Sequence, residues 1–385
     1  MRALSSAVRL AACVTVCLVG AAQRPARAQS AEAPIRGTVE VGVVVQRYSA
    51  DADQTVRETS APFGVIVRHT SGVGAYVRGL YAAAGGDALG ALSGVADVQG
   101  GVSYRRRFSG AVAEVSLAAS APGRGSALTD PEFATATALT FDDYAFDTPT
   151  LGQGATIAPA ATVVLSGGRG VALGAGVAYF ARSAFTPFVG GTASTAAPAE
   201  YSPADELVLT GGLTAQTGRA STVAFDAVLV SYGDDSFNGL TFSPGNRLSG
   251  TIRWAIGGGP VRGRFVAHYR HVFDGAVGAR AVGYQRPEHA MLTTGVGVYR
   301  GRSGVEVTAG ARYFGVFQQS GTTLGLLNVL GEQQLLVDVG AAPTVDISPG
   351  VALSGAFTYS FGVIEAVGAA PLSGFRAGAG LRATF

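Results

Sequence analysis

The 385-residue sequence predicts an all-β chain that crosses a membrane as a single closed antiparallel barrel. Three observations carry that reading. Only 14% of residues are charged and mean hydropathy is +0.30, yet beyond the amino terminus no apolar run is long enough for a spanning helix. Glycine supplies 56 residues, a heavy load for a helical protein because each costs about 1 kcal/mol against alanine in a helix. From Gly37 onward the chain divides into alternating apolar and polar segments of about the ten residues that a tilted strand needs to cross a bilayer. Such alternation hides hydrophobicity from a sliding window, which reconciles the first observation with the third.

The amino terminus reads as a separate unit. Arg2 and Arg9 precede the apolar stretch Leu10 to Ala22 and the small-residue site Ala26-Arg27-Ala28, the layout of a secretory signal peptide cleaved after Ala28. The expected organisation is therefore a signal peptide at 1–28 and a single barrel domain at 29–385. Leu10-Ala11-Ala12-Cys13 resembles a lipid-attachment box, but Cys13 opens the apolar core instead of following it, and bulky Val16 precedes Cys17. Both cysteines fall in the segment to be removed, so the mature chain would have no thiol for a disulfide or a metal. All 28 basic residues are arginines, which excludes a phosphate-loop lysine and a Schiff-base lysine. Without Arg2, Arg9, Arg24 and Arg27 the mature chain keeps 24 arginines against 26 acids, a formal charge of −2 that gives nucleic acid no strong attraction.

In chain order the expected strands are Thr38 to Tyr48, Phe63 to His69, Val73 to Tyr81, Val95 to Arg105, Ala111 to Ala118, Thr156 to Leu165, Val171 to Ala181 and Glu206 to Gln216. The second half continues with Thr222 to Tyr232, Arg247 to Ile256, Val261 to Phe273, Ala290 to Tyr299, Val305 to Val316, Gln334 to Val345, Val351 to Phe361 and Leu372 to Phe385. Seven tight turns rich in Gly, Ser and Pro alternate with eight longer loops, among them a polar one at Asp51 to Ser60 and a glycine-rich one at Gly85 to Gly90. An even count puts both chain ends on the short-turn side. Fourteen strands is the alternative count, because Phe63 to His69 is short and Pro159 removes a ladder donor. A secreted β-sandwich or solenoid would show the same alternation. Against it stand the alternating loop lengths, the terminal Phe385, and aromatics near strand ends on the apolar face: Tyr104, Tyr179, Tyr269, Phe273, Tyr313, Tyr359, Phe361 and Phe375.

With apolar residues sent to lipid, the polar face of each strand lines the interior. The first nine strands turn Glu40, Arg68, Arg78, Asp97, Arg105, Glu114, Glu206 and Asp226 inward. The last seven turn in Arg247, Arg253, Arg262, Arg264, Arg270, Arg312, Arg376 and Arg382 with Glu306 and Asp338, so one wall should be strongly positive. Arginine at mid-depth facing lipid costs about 2 to 4 kcal/mol, so these side chains need water or a partner. They either brace the interior by pairing across strands or line a solvated channel whose transverse field favours anionic or zwitterionic solutes.

A chain ending on phenylalanine after an amphipathic strand resembles the closing strand of bacterial outer-membrane β-barrel proteins, whose terminal aromatic is read by the barrel-assembly machinery. The resemblance is sharp for the last residues and elsewhere is one of repeated pattern. It implies the outer membrane as location, short periplasmic turns and long extracellular loops, and Phe385 as the assembly signal. The longest connection, about Ser120 to Gly154, is third on its side and resembles in position the constriction loop of sixteen-stranded porins, with Pro131-Glu132-Phe133 like a short motif of that loop. It carries Asp130, Glu132, Asp142, Asp143 and Asp147, which would oppose the arginine wall if the loop bends inward.

Catalytic signatures are nearly absent: there is no Gly-x-Ser-x-Gly elbow and no His-Glu-x-x-His pair. His268 and His271 lie three apart on one strand and so face opposite ways, His268 into the pore and His271 to the interface. The expectation is a porin-like outer-membrane channel for passive diffusion of small polar solutes, anions among them, without enzymatic activity or cofactor. The alternative is a barrel that does not conduct and serves as a structural or partner-binding surface protein.

Overall fold

The computed structural model describes residues 34–385 apart from 51–54, 88, 124–127, 130, 131, 133, 134, 136–153, 188–199, 238, 274, 278, 279, 285–287, 316–318, 321–332 and 367. The expected signal segment at 1–28 therefore lies outside the described residues. Alternation of apolar and polar residues produces strands wherever it was expected. They are β1 (Ile35–Ala50), β2 (Thr55–His69), β3 (Val73–Gly86), β4 (Leu89–Val95 continued by Val98–Phe108), β5 (Ala111–Ala121), β6 (Thr156–Gly167), β7 (Val171–Arg182) and β8 (Glu206–Gly218). The circuit continues with β9 (Ser221–Tyr232), β10 (Arg247–Ile256), β11 (Val261–Val272), β12 (His289–Arg300), β13 (Ser303–Phe314), β14 (Gln333–Ser348), β15 (Val351–Ala366) and β16 (Gly368–Thr384).

Each strand pairs antiparallel with its chain neighbours, and β1 also pairs with β16 from Thr38↔Thr384 to Ala50↔Leu372. That last ladder closes the sheet and leaves no open edge. The count is sixteen, not fourteen. In-strand prolines leave local gaps instead of breaks: the β1–β2 ladder passes from Val41↔Phe63 to Val44↔Ser60 around Pro62, and β6–β7 passes from Ile157↔Ala181 to Ala160↔Ala178 around Pro159. In β4, Ala96 and Asp97 interrupt the ladder. Val95 and Val102 both remain on the lipid side, so the parity flips between them and Asp97 turns inward beside Ala96.

The tight turns use glycine where the chain must adopt φ > 0, as at Gly72 (+96°) and Gly350 (+88°). The opposite end departs from expectation. Thr55 to Ser60 is strand, not loop, so the first connection spans only 51–54; most of the glycine-rich stretch is strand, and the last connection is residue 367 alone. Eight uniformly long loops are therefore corrected to five long and three short, and β14, β15, β16, β1, β2 and β3 form a taller wall. The sequence misleads there because above the bilayer neither face needs to be apolar, and the alternation that marks a strand fades. The longer loops add a small sheet from Tyr201–Ser202, Asp235–Phe237, Leu240–Ser243, Gly275–Val277, Arg280–Tyr284 and Gln319–Ser320. Its hub is Tyr201, stacked on Phe242 at 6.2 Å and donating from its hydroxyl to Asp235 at 2.6 Å.

The outside of the cylinder is apolar. Val41, Val43 and Val45 on β1, Leu207, Leu209 and Leu213 on β8, and Val305 and Val307 on β13 are all exposed. Among the described residues, no charged side chain faces outward in the middle of any strand. Tyr104, Tyr179, Tyr269, Phe273, Tyr313, Tyr359 and Phe361 are exposed near strand ends, as interfacial girdles require.

Candidate functional site: the barrel lumen

A closed barrel that is apolar outside and charged inside has one place for chemistry. Arg247, Arg253, Arg262, Arg264, Arg270, Arg312, Arg376, Arg382, Glu40, Glu114 and Asp226 turn inward by strand parity, beside outward residues such as Leu248, Ile252, Tyr269 and Leu381, and Asp97 turns inward at the parity flip in β4. Many of these charges meet across strands. Arg253 pairs with Asp226 and Arg264 with Glu306; Arg105 Nε donates to Glu114 at 2.7 Å, and Arg382 lies 4.0 Å from Glu40. Arg262 sits 4.6 Å from the Tyr299 ring centroid, and Arg247 lies over Tyr232. The positive wall is thus partly offset by acids of its own and neighbouring strands.

Two pairs differ from the rest in burial. Arg312 donates from Nε to Asp338 Oδ2 at 2.7 Å and from Nη2 to Oδ1 at 2.9 Å, while the Ser360 hydroxyl donates to the same Oδ1 at 2.5 Å. The fork geometry fixes both side chains in one orientation. Arg182 and Glu206 make a second buried pair nearer the loop end of β7 and β8.

Above this level the lumen is filled. Tyr48, Leu92, Phe314, Leu336 and Leu372 point inward from five strands and pack with Leu128 of the third loop, all at most 4% exposed. Thr135 donates to the Gly90 carbonyl at 2.9 Å, which anchors the same loop against β4. The third loop thus enters the barrel, but with leucine foremost. Of its acids, Glu132 accepts from the Thr129 backbone N–H and hydroxyl, both at 2.9 Å, as in a helix-capping box. Asp130, Asp142, Asp143 and Asp147 lie outside the described residues.

Beneath the plug a cavity of about 1130 Å³ runs toward the turn rim. Its walls carry Thr38, Arg68 and Arg382 near the rim and Ala96, Phe180 and Val208 below the plug. Of the inward charges predicted, Glu40, Arg68, Arg78, Asp97, Glu114 and Arg382 line this cavity. Its upper walls are mostly aliphatic, a feature the residue-by-residue charge reading missed.

His268 and His271 face opposite ways, as their spacing demands. His268 accepts or donates with Thr251 at 2.8 Å and lies 5.7 Å from the ring of His289, which stacks on Phe314 at 4.6 Å. Sequence could not reveal that histidine pair, since it depends on the register Arg270↔His289. His271, outward, pairs with Glu288 at 2.9 Å. Glu288 lies outside the strands, and hydrogen bonds from His271 and Tyr269 hold its carboxyl below the ordinary range. Among the described residues, no group of three or more His, Cys, Asp or Glu could hold a metal ion.

Closure of the ladder together with an unbroken apolar exterior decides the architecture. The chain is a closed transmembrane β-barrel of sixteen strands. No family model matches it, and no curated protein does. Among solved structures it is similar to an outer membrane protein of Vibrio cholerae, a loop-deletion mutant of OmpT, at 9% identity and a TM-score of 0.41, covering 92% of this chain and 100% of that one. It is also similar to an anion-selective porin from Comamonas acidovorans (15% identity, TM-score 0.41, 91% of this chain and 98% of that one). The CymD monoaromatic hydrocarbon channel gives 9% identity and a TM-score of 0.46 over 91% of this chain and 88% of that one. These likenesses concern the fold alone; the use of the lumen is argued from its own residues.

Proposed function

We propose that the barrel is an outer-membrane channel for passive diffusion of small polar solutes, with anions favoured. The observation that supports it is the cavity of about 1130 Å³ reaching from the turn rim to the plug inside a wall whose mid-strand charged side chains, among the described residues, turn inward. Arg68, Arg78 and Arg382 would meet a solute entering from the turn side, against Glu40, Asp97 and Glu114. Those six charges balance, and the arginine excess lies on β10 and β11, where Arg247, Arg253, Arg262, Arg264 and Arg270 turn inward and electrostatic focusing in a narrow low-dielectric tube would make it effective. In this reading residues 1–28 are cleaved during export, and Phe385 serves as the signal for the assembly machinery. The role is non-enzymatic.

One observation favours a second reading, a barrel that does not conduct. The apolar layer of Tyr48, Leu92, Leu128, Phe314, Leu336 and Leu372 packs together inside the upper barrel and narrows it there. Planar-bilayer recording separates the two. A channel whose third loop closes it should conduct in steps, and deletion of residues 130–147 should raise the conductance; a structural barrel stays silent in both forms.

A further inference from the structure

Arg47 and Arg57 are direct register partners across β1 and β2. Both point outward, because Val41, Val43 and Val45 on one strand and Phe63 and Val65 on the other share their parity and are exposed. Directly opposed side chains stand about 5 Å apart at Cβ, where like charges repel. Among the described residues, neither guanidinium has a hydrogen bond, ion pair or ring contact. They are also the only outward-facing arginines in the loop-end half of the barrel strands among those residues.

Their depth is defined by the neighbouring strands. Arg47 pairs with Phe375, and Phe375 pairs with Tyr359, so the two arginines sit in the aromatic row at the loop end, one outward position beyond Val45. Ser49 lies opposite both Thr55 and Ser373 just above, which adds hydroxyls on the water side. Two acids at this rim have partners of their own: Asp205 accepts from the Tyr179 hydroxyl and Glu288 pairs with His271. A like-charged pair at interfacial depth, without a partner among the described residues, favours an anion that bridges it.

We propose that Arg47 and Arg57 bind the headgroup phosphate of a lipid in the leaflet at the loop end. Two guanidinium forks match phosphate oxygens with charge-assisted hydrogen bonds, and interfacial depth is where headgroup phosphates lie. The acyl chains would run down the groove past Val43, Val45, Phe63 and Val65, all outward and exposed. This site is on the outer wall and is independent of conduction through the lumen.

The test uses the full-length barrel in dodecyl maltoside, with lipid adducts counted by native mass spectrometry. Phosphatidic acid should bind, and dioleoylglycerol, with the same chains and no phosphate, should not. The double variant Arg47→Gln/Arg57→Gln should weaken phosphatidic acid by about a hundredfold, about tenfold per charged hydrogen-bonding group, while Arg106→Gln on the outward turn-end face leaves it unchanged. Circular dichroism checks that each variant remains folded. Equal binding by the double variant, or equal loss in Arg106→Gln, overturns the site. Equal binding of dioleoylglycerol shows chain recognition only, and displacement of phosphatidic acid by equimolar inorganic phosphate shows a site for free anions; either result overturns the lipid assignment.

Discussion

Arg312 and Asp338 meet diagonally across β13 and β14 through two parallel hydrogen bonds of 2.7 and 2.9 Å, with Arg312 the register partner of Leu336 in the layer that fills the lumen. The pair borders the plug. Removing one partner of a buried ion pair strands the other charge, at about 3 to 5 kcal/mol. Asp338→Asn should therefore lower stability by several kcal/mol in urea unfolding from lipid vesicles. Glu306→Gln, whose partner Arg264 is half exposed, should cost under about 1 kcal/mol. Equal losses would show that burial of the Arg312 pair is not what matters.

The plug itself makes a second prediction. Leu336 is fully buried and Phe314 nearly so, and truncating both to alanine removes the side chains that close the upper lumen. Single-channel conductance of Phe314→Ala/Leu336→Ala should rise severalfold over wild type. An unchanged value would place the restriction elsewhere.

Selectivity should follow the carboxylates as much as the arginines. Asp226→Asn with Glu306→Gln frees Arg253 and Arg264 from their partners and should move the reversal potential toward anions. Arg253→Glu with Arg264→Glu should move it toward cations. No shift in either would show that this wall lies off the conducting path.

The Glu288 contact sets a pH dependence. Its folded carboxyl titrates below the model-peptide value of 4.5 because His271 and Tyr269 donate to it. The contact therefore stabilises the folded state above that value, and the contribution disappears as pH falls through the lower folded pKa. Thermal unfolding between pH 6 and 3 should show a steeper acid loss for wild type than for Glu288→Gln. The same slope in both would contradict the assignment.

The membrane-crossing part of the fold was legible because lipid outside and polar groups inside force a period of two. Residue by residue, parity was enough to turn Arg253 inward and Trp254 outward. Where neither solvent imposes a contrast, the code faded: Arg57 and Thr59 face out beyond the hydrocarbon core, Glu58 and Ser60 are buried within, and the stretch read as a loop. The plug was illegible for another reason. Leu128, Phe314, Leu336 and Leu372 are single apolar residues scattered over the chain, and only barrel closure brings them together. The ion pairs required register, which fixes whether Asp226 meets Arg253 or merely shares a face with it.

Reversal potential across a salt gradient in planar bilayers, recorded on the purified, refolded chain and on its 130–147 deletion, bears most directly on the lumen's role. The channel account predicts stepwise conductance in both, larger in the deletion, with a reversal potential on the anion side. Silence in both proteins, from preparations whose heat-sensitive mobility shows a folded barrel, would contradict it.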